Sequence, residues 1–225
     1  MNKRGKAVVL LSGGLDSATC LYWAKAKGFG LEALAVRYGQ RHERELRSAR
    51  SLAKAVGAVF HAVTVELPWL QTSSLLNKKK SLPNLPLSRI GTGGIPSTYV
   101  PGRNTIFTAL GISLADAVGA HSVVIGANAL DYSGYPDCRP EFYRALAQAA
   151  RLGTKRGAER KGLRIATPLI HMDKSRIVRL ALALGVPLSR TWSCYAGGRR
   201  PCRRCDSCKL RAKGFESAGV EDPAL

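Results

Sequence analysis

A short apolar run, a connection and a longer helical stretch closed by glycine follow one another repeatedly along this chain, and that order leaves few folds open. Residues 6–11 (KAVVLL) are largely apolar on both faces of a strand, as a strand covered from both sides must be, and they run straight into Ser12-Gly13-Gly14. A helix is expected from about Asp16 to the stop at Gly28, a residue type that caps helix ends in the left-handed conformation. The same order returns as strand at 31–37, helix at 41–57 with Leu46, Ala49, Leu52, Ala53 and Val56 inward, and strand at 58–66. It continues as helix at 104–118, strand at 120–126, strand at 164–170 and helix at 173–184, with further helix exits at Gly57, Gly119 and Gly185. Strands alternating with helices in this way predict an α/β fold built on an open, doubly wound parallel sheet.

Two stretches break the rhythm. Residues 66–100, with their prolines, triple lysine and GTGGIPSTYV, are too long for an ordinary connection and read as a mobile cover over a site. Residues 127–140 (ANALDYSGYPDCRP) hold two prolines and a glycine, which exclude a continuous helix. The 225 residues suit one α/β domain, expected over 1–190, with a small segment at 191–225 packed on it.

The net charge of +20 would attract polyanions. The basic residues are patchy, at Lys78 to Lys80, in a long loop expected at 151–164 and at Arg199, Arg200, Arg203 and Arg204, so nucleic acid is a partner the surface permits but does not require. No window approaches the roughly 20 apolar residues of a membrane span, and the apolar part of the N-terminus is too short for a signal peptide. A cytoplasmic location is expected, where cysteines serve as metal ligands more often than as disulfides.

The loop after the first strand, SGGLDS, is where the residue types become specific. Gly13 and Gly14 let the backbone turn tightly against a phosphate, while Ser12, Ser17 and the free N–H groups of the helix start donate to its oxygens. No GK[ST] follows, so this is not a Walker loop. Near the C-terminus, Cys194, Cys202, Cys205 and Cys208 supply the four thiolates of a closed, structural zinc site, and Gly197-Gly198 lets Cys194 fold back to join the others. An iron–sulfur cluster is the rival occupant of such a set. Cys20 reads as a core position, and His61, His121 and His171 as structural.

SGGLDS resembles the loop of the ATP pyrophosphatase superfamily, which implies an adenine nucleotide alpha hydrolase-like fold, Mg2+ with ATP, and cleavage that leaves AMP on a substrate oxygen. On that resemblance Ser12, Asp16, Ser17 and Lys174 carry the chemistry. The nucleotide lies along Leu10, Leu11, Ser12, Gly13, Gly14, Leu15, Asp16, Ser17, Ala18, Thr19 and Cys20, joined by Arg103 and Asn104. Five blocks in order, LSGGLDSATCLYWA, RYGQRHERE, VPGRNTIF, DYSGYPDCRPEF and SCY…PCRRCDSCKLRAKGF, are similar to the 7-cyano-7-deazaguanine synthase family along nearly the whole chain.

That resemblance implies conversion of 7-carboxy-7-deazaguanine, ammonia and ATP to a nitrile through an acyl adenylate and an amide. It also places His42, Tyr132, Tyr135, Asp137 and Arg139 on the substrate side. Asp137 has a competing role as the cap of a helix starting near Pro140, and Glu45 is a further residue within reach. The oligomeric state is not fixed, and a homodimer stays open. Rival functions are a tRNA-modifying enzyme of the same superfamily, of thiolase or lysidine-synthase type, and a non-enzymatic zinc-dependent nucleic-acid-binding module.

Overall fold

A computed structural model describes residues 4–40, 44–128 and 135–224. Strands β1 (Arg4–Leu10), β2 (Phe29–Arg37), β3 (Val59–Thr64), β4 (Ser122–Val124) and β5 (Arg164–Ala166) form one sheet in the order β3-β2-β1-β4-β5. Every neighbouring pair is parallel. From β1 the chain builds outward through β2 and β3 on one side and through β4 and β5 on the other. The carboxyl end of β1 therefore faces the crevice where strand order reverses, the place where open α/β sheets take ligands.

The sheet is covered on both faces, and β1 shows why its sequence is continuously apolar. Ala7 and Val9 point into a core shared with α1 (Leu15–Ala26), α2 (Arg44–Val56), α6 (Lys174–Ala183) and α7 (Asp206–Ala218), through Leu21, Leu52, Ile177 and Phe215. Val8 points the other way, into a core with Ala115 of α3 (Arg103–Val118) and Tyr143 and Ala150 of α4 (Pro140–Gly153). Each large side chain buried there contributes about 1.5–3 kcal/mol relative to exposure. Among the described residues no helix is long and apolar enough to cross a membrane.

Several boundaries differ from the sequence expectation. β4 and β5 occupy only three residues each of the 120–126 and 164–170 stretches. Residues 151–164 are not one loop: α4 extends through Gly153 and a further turn, α5 (Lys155–Ala158), follows. Local capping makes that turn, because Thr154 Oγ1 accepts the Gly157 N–H and the Asp116 carboxylate accepts the N–H groups of Lys155 and Arg156. Helix α7 has no counterpart in the sequence reading. Residues 66–100 form short 3-10 turns at Pro68–Thr72 and Leu87–Arg89, and they bury a small core of their own around Leu70, Leu75, Leu76 and Val100, packed on Tyr38 and Tyr195.

One charged group lies inside the sheet. Glu32 of β2 is 4% exposed and takes Lys6 Nζ at 3.0 Å and His61 Nε2 at 2.8 Å, which gives His61 its structural role. Burial pushes the Glu32 carboxyl up, but hydrogen bonds from His61 and Lys6, and their charges, outweigh it and hold the carboxyl below its usual range. A depressed folded-state pKa adds stability above the unfolded value, about 4.3, and that stability is lost as pH falls through the folded value. Glu32→Gln is expected to lower stability by about 1–3 kcal/mol at pH 7. Across thermal melts from pH 7 to pH 3, its Tm should fall less steeply than that of the parent chain.

Candidate active site

Residues 11–17 bend the chain from β1 into α1. Gly13 holds φ at +90°, and a methyl on it would overlap Glu45 O and stand 2.8 Å from Ala49 N, so α2 packs directly against the bend. Two hydroxyls tie the loop together: Ser12 Oγ and Ser17 Oγ lie 3.1 Å apart, Ser17 Oγ accepts the Gly13 N–H at 3.2 Å, and Ser12 Oγ accepts the Gly14 N–H at 3.3 Å. Helix α1 begins at Leu15 with Gly14 as an N-cap that offers no side chain. The N–H groups of its first turn have no partner within the helix, which makes this end a cradle for anionic oxygens.

Gly126, just past β4, closes the cradle from the side. A Cβ there would stand 3.0 Å from Ser17 N and 3.1–3.2 Å from the carbonyl of Asp16, tight enough to press on the start of α1, and a larger side chain would press harder. Gly126→Val is expected to lower kcat/KM for ATP about a hundredfold while the far-ultraviolet circular dichroism stays that of the parent chain. A kcat/KM for ATP within twofold of the parent value would contradict that role.

Opposite the loop, Lys174 reaches from the first turn of α6. Its Nζ lies 3.0 and 2.8 Å from the two carboxylate oxygens of Asp16. A lysine at a helix N-terminus works against the helix dipole unless negative charge faces it, and Asp16 supplies that charge here. Gly214 of α7 permits the approach, since a methyl on it would overlap Lys174 Cγ. Sequence reading missed both Gly126 and Gly214, because each is set by contact with an element distant in the chain.

Loop and lysine stand at the edge of a cavity of about 320 Å³. Its walls are the ends of β1 and β2 (Leu10, Leu34, Val36), the segment after β4 (Ile125 to Asn128), α2 (Glu45), α3 (Arg103, Asn104, Phe107) and α4 (Tyr143), with Tyr135, Cys138, Trp192 and Tyr195. Burial pushes the Glu45 carboxyl up to about 7, with Arg103 opposing and Cys194 adding to the rise. Glu45 is thus poised to exchange a proton near neutral pH.

The structure gathers most of the residues expected at the site. Leu10, Leu11, Ser12, Gly14, Leu15, Asp16, Ser17, Arg103, Asn104, Tyr135 and Lys174 all line the cavity. Ala18, Thr19 and Cys20 do not: they lie on the core face of α1, fully buried, with Thr19 Oγ1 bonded to Leu15 O. Helix α1 turns that face into the sheet, so these three back the loop from behind the cavity wall. Asp137 is also absent from the wall. Its Oδ2 accepts the Asn104 N–H at 3.1 Å, so it caps α3, 33 residues earlier, and not the helix at Pro140. Arg139 is the N-cap residue of that helix, α4, and lies off the cavity wall. His42 and Tyr132 lie outside the described residues.

The four cysteines form a second centre. Cys194, Cys202, Cys205 and Cys208 bring their sulfurs within 4.8 Å of one another. Tetrahedral coordination at about 2.3 Å per Zn–S bond asks for sulfurs about 3.8 Å apart, and Cys202 Sγ to Cys208 Sγ is 4.0 Å. Backbone donors already aim at these sulfurs: the N–H groups of Ala196 and Cys202 at Cys194 Sγ, and that of Cys205 at Cys202 Sγ. Hydrogen bonds from Cys205 and Cys208 hold the Cys194 thiol far below its usual range, while Cys208 is driven up by sharing with Cys194 and Cys205. Four crowded thiols cannot all ionise alone, and a cation removes that conflict. The residues present fit a metal ion.

This centre is wired to the loop. Trp192 N–H donates to Gly13 O at 2.9 Å, and its indole N–H donates to Cys194 O at 2.9 Å. Arg44 stacks on the Trp192 ring at 4.6 Å, and its guanidinium also donates to the carbonyls of Gly198 and Arg199. Arg211 of α7 is buried at 5% exposure, paired with Asp222 at 2.6 and 2.9 Å, and bonded to Thr191 Oγ1 and Leu188 O.

Residues 6–219 match the model of a family described as queuosine biosynthesis protein QueC. A 7-cyano-7-deazaguanine synthase of Trichodesmium erythraeum is 49% identical over 98% of this chain and 100% of its own. One of Synechococcus elongatus is 53% identical over 96% and 93%. Among solved structures, the NMN synthetase of Francisella tularensis shares the fold, with a TM-score of 0.51 at 18% identity over 98% of this chain and 80% of that one.

Proposed function

We infer, for a chain that belongs to the queuosine biosynthesis protein QueC family, the activity that its relatives carry in their names: synthesis of 7-cyano-7-deazaguanine. The substrates are 7-carboxy-7-deazaguanine, ammonia and two molecules of ATP. A carboxylate oxygen attacks the α-phosphorus and pyrophosphate departs, leaving an acyl adenylate. Ammonia adds to that carbon, AMP leaves with the carboxylate oxygen, and an amide results. The amide oxygen attacks the α-phosphorus of a second ATP, pyrophosphate departs, and loss of AMP and both N–H protons closes the C≡N bond. Both activations turn a poor oxygen leaving group into a phosphate ester, so one site serves twice.

The observation that carries this reading is the loop at Ser12–Ser17, placed at the strand-order reversal with Lys174 and Asp16 beside it and the cavity in front of it. In it, the α1 N–H groups, Ser12 and Ser17 hold the departing pyrophosphate, and positioning supplies most of the acceleration. Lys174 and Arg103 balance the growing negative charge. Asp16 would hold Mg2+, which when bound neutralises the polyphosphate. Glu45, with its raised carboxyl, is placed to take a proton from ammonium or from the adenylated amide.

Zinc is the ion that four convergent cysteines hold best, and with all four positions taken it would be structural. The chain then divides at about residue 190 into an ATP-binding domain and a zinc segment packed on it. A cytoplasmic setting, which keeps thiols reduced and supplies ATP, goes with this reading. The test is purified protein with Mg-ATP, ammonium and 7-carboxy-7-deazaguanine, followed by mass spectrometry. Nitrile with two AMP per molecule is expected; absence of nitrile, or ADP as the nucleotide product, would overturn the assignment.

A further inference from the structure

We propose that residues 66–100 are a fixed back-plate and not a lid: fastened to the metal segment through Asp206, they set Tyr38, Tyr135 and Tyr195 as a wall that seats a planar, purine-like ring. The inference rests on the reading of the site given above and deepens it. All three tyrosines line the cavity, and each meets the 66–100 segment from behind. Tyr38 and Tyr195 pack on the small core around Leu70, Leu76 and Val100, and the Tyr135 hydroxyl shares a buried hydrogen bond of 2.6 Å with Thr98 Oγ1. The segment is also joined to itself, since the Ser74 N–H donates to Ser97 O at 2.8 Å and the Asn77 N–H to Ser73 O at 2.9 Å. With its own core and its own bonds it holds one arrangement and passes that arrangement on to the tyrosines.

Its fastening lies in the first turn of α7. Asp206 Oδ1 accepts the Leu85 N–H at 2.8 Å from 121 residues away, the Asp206 N–H donates to Pro83 O at 3.3 Å, and Lys209 Nζ donates to Leu85 O at 2.6 Å. An acidic residue in a first turn complements the helix dipole from an exposed position. Asp206 is instead 5% exposed with its carboxylate aimed at another segment, and the fastening accounts for that burial. On the cavity side, the Arg103 guanidinium donates to the Tyr38 hydroxyl, and Tyr38 meets Phe107 edge-on at 5.0 Å. Phenol rings beside a guanidinium offer faces for stacking and a fork of donors for ring oxygen and nitrogen acceptors. The adenine of ATP and the deazaguanine of the acid share that chemistry.

Thr98→Val cuts the bond to Tyr135 at constant shape, and Asp206→Ala cuts the fastening. Asp206→Asn keeps an oxygen that can accept the Leu85 N–H and serves as the rescue. By calorimetry, with ATP and the acid titrated separately, the Kd of one of them should rise about fivefold in Thr98→Val and Asp206→Ala while the other stays within twofold. A rise confined to the acid assigns the wall to its base, and one confined to ATP assigns it to adenine. Hydrogen exchange at the Ser74 and Asn77 amides should be slow in the parent chain, about tenfold faster in Asp206→Ala and near the parent rate in Asp206→Asn. Unchanged Kd for both ligands, an equal rise in both, or parent amides that exchange like those of an unfolded peptide would overturn the proposal, as would an Asp206→Asn chain that behaves like Asp206→Ala. Metal content is measured alongside; if Asp206→Ala loses metal or does not fold, Thr98→Val decides by the same Kd criterion. The two readings fail separately. Ring binding weakened by Thr98→Val without nitrile formation would sink the reaction and keep the wall; nitrile formation with Kd indifferent to Thr98→Val would sink the wall alone.

Discussion

Lys174→Ala is expected to lower kcat for pyrophosphate release about 10²–10³-fold, with KM for ATP changing by much less. Lys174 faces the loop from across the cavity edge, 158 residues away from Asp16 in sequence and 2.8 Å away in space. Charge on the bridging oxygen grows as pyrophosphate departs, so a cation fixed there acts chiefly on the transition state. The fold should survive, because the Lys174–Asp16 pair is partly exposed and Asp16 can turn to water when its partner is removed. Gly214→Ala tests the same contact from behind. Its methyl would displace Lys174 without altering any charge, and a partial loss of kcat with unchanged net charge is the expected signature. Equal kcat in parent and Lys174→Ala chains, measured by coupled pyrophosphate detection, would remove Lys174 from the mechanism.

Cys205→Ser carries the largest expected effect on stability. Cys205 is 2% exposed and is also the N-cap residue of α7, so its sulfur joins the four-cysteine cluster at the entry to that helix. If the proposed zinc is bound there, loss of one ligand should empty the site and cost about 5 kcal/mol, which for a chain of this length is about 10–20 °C in Tm. Activity should fall as well, for a reason visible in the contacts: Trp192 joins Cys194 to Gly13, so the loop leans on the metal segment. Chelation of the parent chain should produce the same pair of losses, and added zinc should reverse both. Full metal content and an unchanged Tm in Cys205→Ser would contradict a structural ion at these cysteines.

The parts of the fold that were legible in the sequence are those with a local signature. β1 is recognisable because both its faces are covered, which leaves Val8 and Val9 equally apolar. The loop is recognisable because paired glycines flanked by the hydroxyls of Ser12 and Ser17 mark a tight, donor-rich bend between strand and helix. The metal centre is recognisable from the spacing of its thiols.

What stayed hidden depends on partners far away in the chain. Asp137 could be read as a cap, but its helix begins at residue 103 and not at 140. Thr19 and Cys20 sit in the motif by sequence and are fully buried by helix geometry. Helix α7 escaped notice because its residues are largely polar, and what holds it is specific: Phe215 in the core, Gly214 against Lys174, and Arg211 buried on Asp222. Arg211 would be counted with the basic surface from sequence alone. Its partner is eleven positions downstream, in a tail with no helical pattern to suggest the pairing. Removing either member would strand a buried charge, which costs about 3–5 kcal/mol.

The most direct measurement follows the oxygens. With both carboxylate oxygens of 7-carboxy-7-deazaguanine replaced by 18O, each nitrile should appear with two AMP, each carrying one 18O on phosphorus, because every activation hands AMP to a substrate oxygen. Label found in inorganic phosphate or water, or ADP formed in place of AMP, would show that the bend at Ser12–Ser17 does not transfer adenylate.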